Sequence, residues 1–133
     1  VQRIQWEAQQ ARVLEGVSDK NGNLKKLGLF SLHHVDWMHI GDSQRCTGPL
    51  RRGCPDYLIV GEGWKAWLEI KARNEISGRM GKLDAGQRTF HSKLGDAGDE
   101  VMTAYLPDDL AMVNDWLASK TGIHADIDGL VSR

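Results

Sequence analysis

Residues 56–71 constrain this fold more than any other stretch of the chain. Asp56-Tyr57-Leu58-Ile59-Val60 is a β-rich run, Gly61-Glu62-Gly63 is a turn, and Trp64 to Lys71 is a second extended run. Two such runs joined by a short glycine-containing turn predict a β-hairpin. Side chains alternate along a strand. Trp67, Glu69 and Lys71 therefore share one face of the second strand, and Ala66, Leu68 and Ile70 share the other.

The flanking sequence supplies partners for that hairpin. Residues 3–17 read as a helix, with Ile4, Ala8, Ala11 and Leu14 on one face. Gly16 and the polar run 18–23 end it as a loop. Residues 28–40, aromatic and apolar with His33, His34 and His39 interleaved, read as one strand or two short ones. Residues 41–55 are irregular and basic, and 72–83 form a loop. Asp84 and Gln87 have the spacing of a capping box. The helix they open should run to about Leu94 and bury Phe90, Leu94 and Ala97. Val101 to Leu106 is a strand. Asp108 or Asp109 then caps a helix through Leu110, Val113, Trp116 and Leu117, stopped by Gly122. Helices alternating with strands in this way predict a three-layer α/β or α+β domain around a mixed central sheet. At 133 residues the expectation is one domain over 1–122, followed by a loosely attached tail over 123–133.

Charge is uneven along the chain. The net charge of −1 conceals ten basic and five acidic residues over 45–93, against two basic and eight acidic over 94–133. A basic middle can meet phosphates while an acidic end faces solvent. No apolar run approaches the ~18 residues of a membrane span, and no secretory signal pattern is present. Two cysteines, Cys46 and Cys54, are too few for a disulfide framework, so a cytoplasmic setting is expected. A chain that opens on Val1 reads as a processed one.

The hairpin also concentrates chemistry. Asp56 opens the first strand and Glu69 lies near the end of the second, so the turn lets their carboxylates approach. Two close carboxylates repel unless a cation sits between them. An oxygen-rich pair suits Mg²⁺ or Mn²⁺. Lys71, on the same face as Glu69, can orient or deprotonate an attacking water and stabilise charge on a phosphate. Together these parts describe metal-assisted hydrolysis of a phosphodiester.

Gly53-Cys54-Pro55-Asp56 followed by Glu69-Ile70-Lys71, then Leu83-Asp84-Ala85-Gly86-Gln87-Arg88-Thr89-Phe90-His91 and Gly98, resembles the VRR-NUC branch of the PD-(D/E)xK nuclease superfamily over roughly residues 50–117. The resemblance implies a restriction-endonuclease-like fold and a metal-dependent DNA endonuclease. It implies activity on branched, flapped or junction DNA, in phage replication, recombination or repair, within a bacterial or phage-infected cell. It makes Asp56 and Glu69 metal ligands, adds the carbonyl of Ile70, and gives Lys71 the catalytic lysine's role. Gln87 would line the site. Glu7 on the first helix is the expected further ligand, with Glu15 as rival. Arg45, Arg51, Arg52, Arg73, Arg79, Lys82 and Arg88 would contact DNA phosphates, Arg51 and Arg52 foremost. One metal or two stays open. So does the role of the 72–83 loop, which is longer than the branch's usual connection. A homodimer would be one way for so small a chain to cut both strands.

Plainer readings compete. Asp56 could simply cap the turn after Pro55, and Glu69 and Lys71 could belong to an exposed, salt-bridged strand face. His33, His34, His39, Cys46 and Cys54 fit no common zinc spacing, and an HNH nuclease would need a second motif half that is missing. Trp116 and Trp37 read as core, whereas Trp67 shares the face of Glu69 and Lys71. The alternative function is a non-catalytic DNA- or protein-binding module on the same fold. A third is a regulatory protein that binds its partner through the acidic C-terminal part.

Overall fold

The computed structural model describes residues 3–40, 53–72 and 83–131, with the backbone alone for residues 3–8 and 131. The elements are α1 (Arg3–Glu15), β1 (Val17–Ser18), β2 (Leu24–Lys26), α2 (Leu29–Leu32), β3 (Asp36–His39), β4 (Tyr57–Val60), β5 (Lys65–Lys71), α3 (Ala85–Asp96), β6 (Glu100–Tyr105), α4 (Leu110–Thr121) and α5 (Asp128–Val131). The chain is mixed α/β with a four-stranded mixed sheet in the order β3-β4-β5-β6. Its contacts fall into two compact units, Val1–Asp36 with Pro107–Arg133, and Trp37–Leu106. No helix among the described residues is long and apolar enough to cross a membrane.

In the first unit α1 packs against α2. Gly16, at φ 87°, ends α1 and turns the chain into the small β1–β2 hairpin, where the sequence suggested a loop. Asp19 organises its tip, because Oδ1 accepts from the amides of Asn21 and Asn23, each at 2.9 Å. Leu14, Leu29, Phe30, Val35, Leu110, Val113 and Leu117 are buried, and so is Trp116. Gly122 stops α4 in the left-handed region at φ 75°, as its position predicts.

The expected strand over 28–40 is half helix. Leu29 and Phe30 sit on the single turn of α2, and only Asp36–His39 is extended. A short apolar run lacks the periodicity to separate the two states, and here burial of Leu29 and Phe30 through a helical turn prevailed. His33 follows that turn and is buried. Its Nε2 donates to Asn114 Oδ1 at 2.7 Å, which leaves Nδ1 to accept from the Thr121 hydroxyl at 3.1 Å. Both ring nitrogens are thereby engaged in a structural network. Asn114 also donates to the carbonyl of Ala125 at 3.1 Å, which ties down the segment after α4.

The second unit is built on the predicted hairpin. β4 and β5 pair antiparallel with Tyr57 opposite Leu68 and Val60 opposite Lys65. β6 runs parallel to β5, with Glu69 beside Thr103 and Lys71 beside Tyr105. The crossover between them includes α3, which packs against β6. Tyr57, Ile59, Ala66, Leu68, Ala104 and Leu106 are buried. Trp37, expected in the core, is 38% exposed, since all four residues of β3 are exposed. It meets Tyr57 edge-on, while His39 stacks on the same ring with centroids 4.5 Å apart.

One close approach sets the start of β4 against α3. A Cβ on Gly53 would collide with the backbone of Gly86 and come within 2.9 Å of Phe90 Cβ. Backbone atoms cannot step aside as a flexible side-chain end can. Gly53→Ala should therefore cost about 1–3 kcal/mol in a denaturant melt, the range for overpacking a tight contact. Gly129→Ala, with nothing near its Cβ position, serves as the control.

Candidate active site

Extending the β4–β5 register by one pair sets Asp56 opposite Glu69. The sheet thus brings together two acids that the sequence separates. Asp56 is fixed by a backbone contact, because its Oδ2 accepts the amide of Ile70 at 2.8 Å. Ile70, expected to offer its carbonyl, thereby also orients the carboxylate across from it. Glu69 is only 3% exposed, which is rare for a glutamate outside a functional or paired setting.

α3 delivers the rest of the constellation. Its capping box is complete, with Asp84 Oδ1 accepting the Gln87 amide at 2.8 Å and Gln87 Oε1 accepting the Asp84 amide at 3.0 Å. That box holds the Gln87 side chain against β5. Gln87 Oε1 accepts from Lys71 Nζ at 3.0 Å, and Gln87 Nε2 donates to Glu69 Oε1 at 3.3 Å. One amide therefore ties the amine to the acid. Asp84→Ala should cost about 1 kcal/mol of stability as a lost cap. It should also loosen Gln87, visible as faster exchange of the Gln87 side-chain amide in NMR.

Burial pushes the Glu69 carboxyl up to about 9. A hydrogen bond with Asp56 and the negative charge of Asp56 act in the same direction, and Lys71 opposes them. A proton on Glu69 relieves the repulsion between the two facing acids, a role that a cation could also fill. His91 lies one helical turn beyond Gln87. Its Nε2 is 3.6 Å from Glu69 Oε1 and is buried, with no hydrogen-bond partner among the described residues. Burial and the nearby Lys71 charge lower the His91 pKa from its usual value, against the pull of Asp56.

The hydrogen bonds and the strand register join Asp56, Glu69, Ile70, Lys71 and Gln87 into one cluster. Trp67, on the Glu69 face, donates its indole N–H to Asp99 Oδ2 at 3.0 Å, and Lys65 reaches Asp99 Oδ1 at 2.5 Å. Arg88 donates to the carbonyl of Leu83 at 2.6 Å and so braces the entry to α3. Phe90 and Leu94 are half-buried and Ala97 is exposed, so α3 covers the sheet less deeply than its apolar spacing suggested. Cys54 is a half-buried free thiol. Glu15 closes α1 in the other unit. The side chain of Glu7 and residues Arg45, Cys46, Arg51, Arg52, Arg73, Arg79 and Lys82 lie outside the described residues. His91 is the member that sequence reasoning missed. Its signal was the spacing of four from Gln87, which puts both side chains on one face of a helix.

Among the described residues no three His, Cys, Asp or Glu side chains already converge as a metal cage. The donor set matches an ion that needs no such cage. Mg²⁺ is typically held by one or two carboxylates, completing its shell with waters and substrate phosphates. Two facing acids whose mutual repulsion a cation would relieve fit that requirement. No family model, no curated protein and no solved structure matches the chain.

Proposed function

We propose that this chain is a divalent-metal-dependent DNA endonuclease on a restriction-endonuclease-like fold. The observation that carries the reading is the pair of contacts that links Lys71 through Gln87 to Glu69, with Asp56 facing Glu69. A buried glutamate facing a half-buried aspartate, beside a held ammonium, matches the chemistry of phosphodiester hydrolysis. The resemblance in the Pro55-Asp56 and Glu69-Ile70-Lys71 motifs points the same way.

Asp56 and Glu69 would hold Mg²⁺ or Mn²⁺, with the carbonyl of Ile70 as a further ligand and Glu7 as the first-helix candidate. When bound, such an ion supplies a lowered pKa for coordinated water and a Lewis acid for the scissile phosphate. The protein's own groups do the positioning. The Ile70 amide fixes one carboxylate. Gln87 holds Glu69 through its N–H and Lys71 through its oxygen. Lys71, as an ammonium, would orient the attacking water and stabilise charge on the phosphate oxygens. Arg45, Arg51, Arg52, Arg73, Arg79, Lys82 and Arg88 are proposed phosphate contacts, so binding should weaken steeply with salt. Phosphate contacts position a duplex without reading its bases. Specificity for flap, branched or junction DNA, in phage replication, recombination or repair, follows from that and from the resemblance. The proposed setting is the cytoplasm of a bacterial or phage-infected cell, with a homodimer for cleavage of both strands.

The test is cleavage of labelled duplex, single strand, flap, splayed arm and four-way junction with Mg²⁺ or Mn²⁺, beside EDTA. Metal-dependent cutting of at least one substrate is expected. Folded protein that binds metal and cuts none of them would overturn the reading in favour of a binding module.

A further inference from the structure

Two side chains of α3 face one oxygen of Glu69. Gln87 Nε2 reaches Oε1 at 3.3 Å, and His91 Nε2 faces the same atom at 3.6 Å. The two donors are one helical turn apart, so they approach Oε1 from the same element. His91 Nε2 is fully shielded from solvent and has no hydrogen-bond partner among the described residues. A buried ring nitrogen without a partner is costly to maintain. Glu69 Oε1 lies a few tenths of an ångström beyond hydrogen-bond reach of it.

From this geometry we infer that His91 is a positioning residue for Glu69. Its Nε2–H donates to Oε1 alongside Gln87, which reserves the other carboxylate oxygen for the ion shared with Asp56. The inference rests on the proposed metal centre and adds to it which oxygen of Glu69 stays free. Anchored from one side, the carboxylate favours one-oxygen coordination over chelation through both. Ligating carboxylates and histidines commonly depend on such outer partners, whose loss typically weakens metal binding by about 10–100-fold.

The experiment is calorimetric titration of the full chain with Mn²⁺, for the unaltered protein, His91→Ala and His91→Gln. Mn²⁺ EPR and a long-range ¹H–¹⁵N spectrum of the Mg²⁺-saturated, unaltered protein complete it. His91→Ala should bind Mn²⁺ about 10–100-fold more weakly, and His91→Gln, which retains an N–H donor, should recover part of the loss. The spectrum should show His91 as the Nε2–H tautomer, a readout that stands even if the alanine variant fails to fold. Unchanged Mn²⁺ affinity in His91→Ala, or an Nδ1–H tautomer in the Mg²⁺ form, would overturn the inference alone. Nitrogen hyperfine coupling that is lost in His91→Gln would overturn it too, by making His91 a direct ligand. No Mn²⁺ binding by the unaltered protein would remove the metal centre itself, and the positioning role with it.

Discussion

Lys71→Ala is expected to lower metal-dependent DNA cleavage by about 10²–10³-fold while the protein folds and still binds the ion. The magnitude is that of removing one preorganised donor from developing transition-state charge. Lys71 ends β5 and is tied to the fold's backbone through its carbonyl, which accepts from the Leu106 amide at 3.0 Å. Truncation at Cβ leaves that ladder bond in place. What disappears is the Nζ contact to Gln87 Oε1, and this oxygen keeps the Asp84 amide as partner. No buried acceptor is orphaned, so stability should change little. Lys71→Arg should not rescue activity, because a planar, forked guanidinium cannot replace a compact point charge seated on Gln87 Oε1. Single-turnover cleavage with Mg²⁺, paired with a denaturant melt, separates the two effects. Activity within tenfold of the unaltered protein in Lys71→Ala would assign the chemistry elsewhere.

The parts of this site that were legible in the sequence are those set by local rules. Strand alternation put Glu69 and Lys71 on one face, and the Gly61–Gly63 turn fixed a register that sets Asp56 across from Glu69. The capping box was legible because Asp84 and Gln87 are three residues apart and need only the helix's own start. What spacing could not give is the second use of Gln87, whose one amide caps α3 and links Lys71 to Glu69. That depends on where the crossover returns α3 to the sheet.

The misread elements share a cause of the same kind. Leu29 to His39 is a short run that is apolar in both periods, and only the packing of Leu29 and Phe30 chose a helical turn for its first half. Trp37 looked like core by residue type, yet it sits on the outer strand β3, where every side chain is exposed. Gly53 read as part of an irregular stretch, whereas its close contact is with Gly86 on another element. His91 was passed over for the same reason, since its role lies in a contact 22 residues away in the chain.

Glu69→Gln is expected to make the metal-free protein more stable, by an amount that grows with pH. The sign follows from proton counts. Below about pH 4.5 the carboxyl is protonated both folded and unfolded, and it contributes no pH dependence. Between 4.5 and about 9 the unfolded chain releases the proton while the folded site retains it. The unfolded state then binds fewer protons, so stability falls as pH rises through that window. At pH 7 the accumulated cost is on the order of 3 kcal/mol. Glutamine is neutral at every pH and can still donate to Asp56, so the substitution removes the slope. His91 contributes an opposite and separate trend, because its lowered pKa makes stability fall as pH drops through the ordinary histidine range. Denaturant melts in EDTA at several pH values from 5 to 9 measure both. Equal slopes for the two proteins above pH 7 would mean that Glu69 is already ionised in the folded state. A divalent ion should reverse the ranking, since it replaces the proton between the acids and stabilises only the glutamate form. Folding alone would then be better served by glutamine at position 69, and the acid is explained by the ion it would hold.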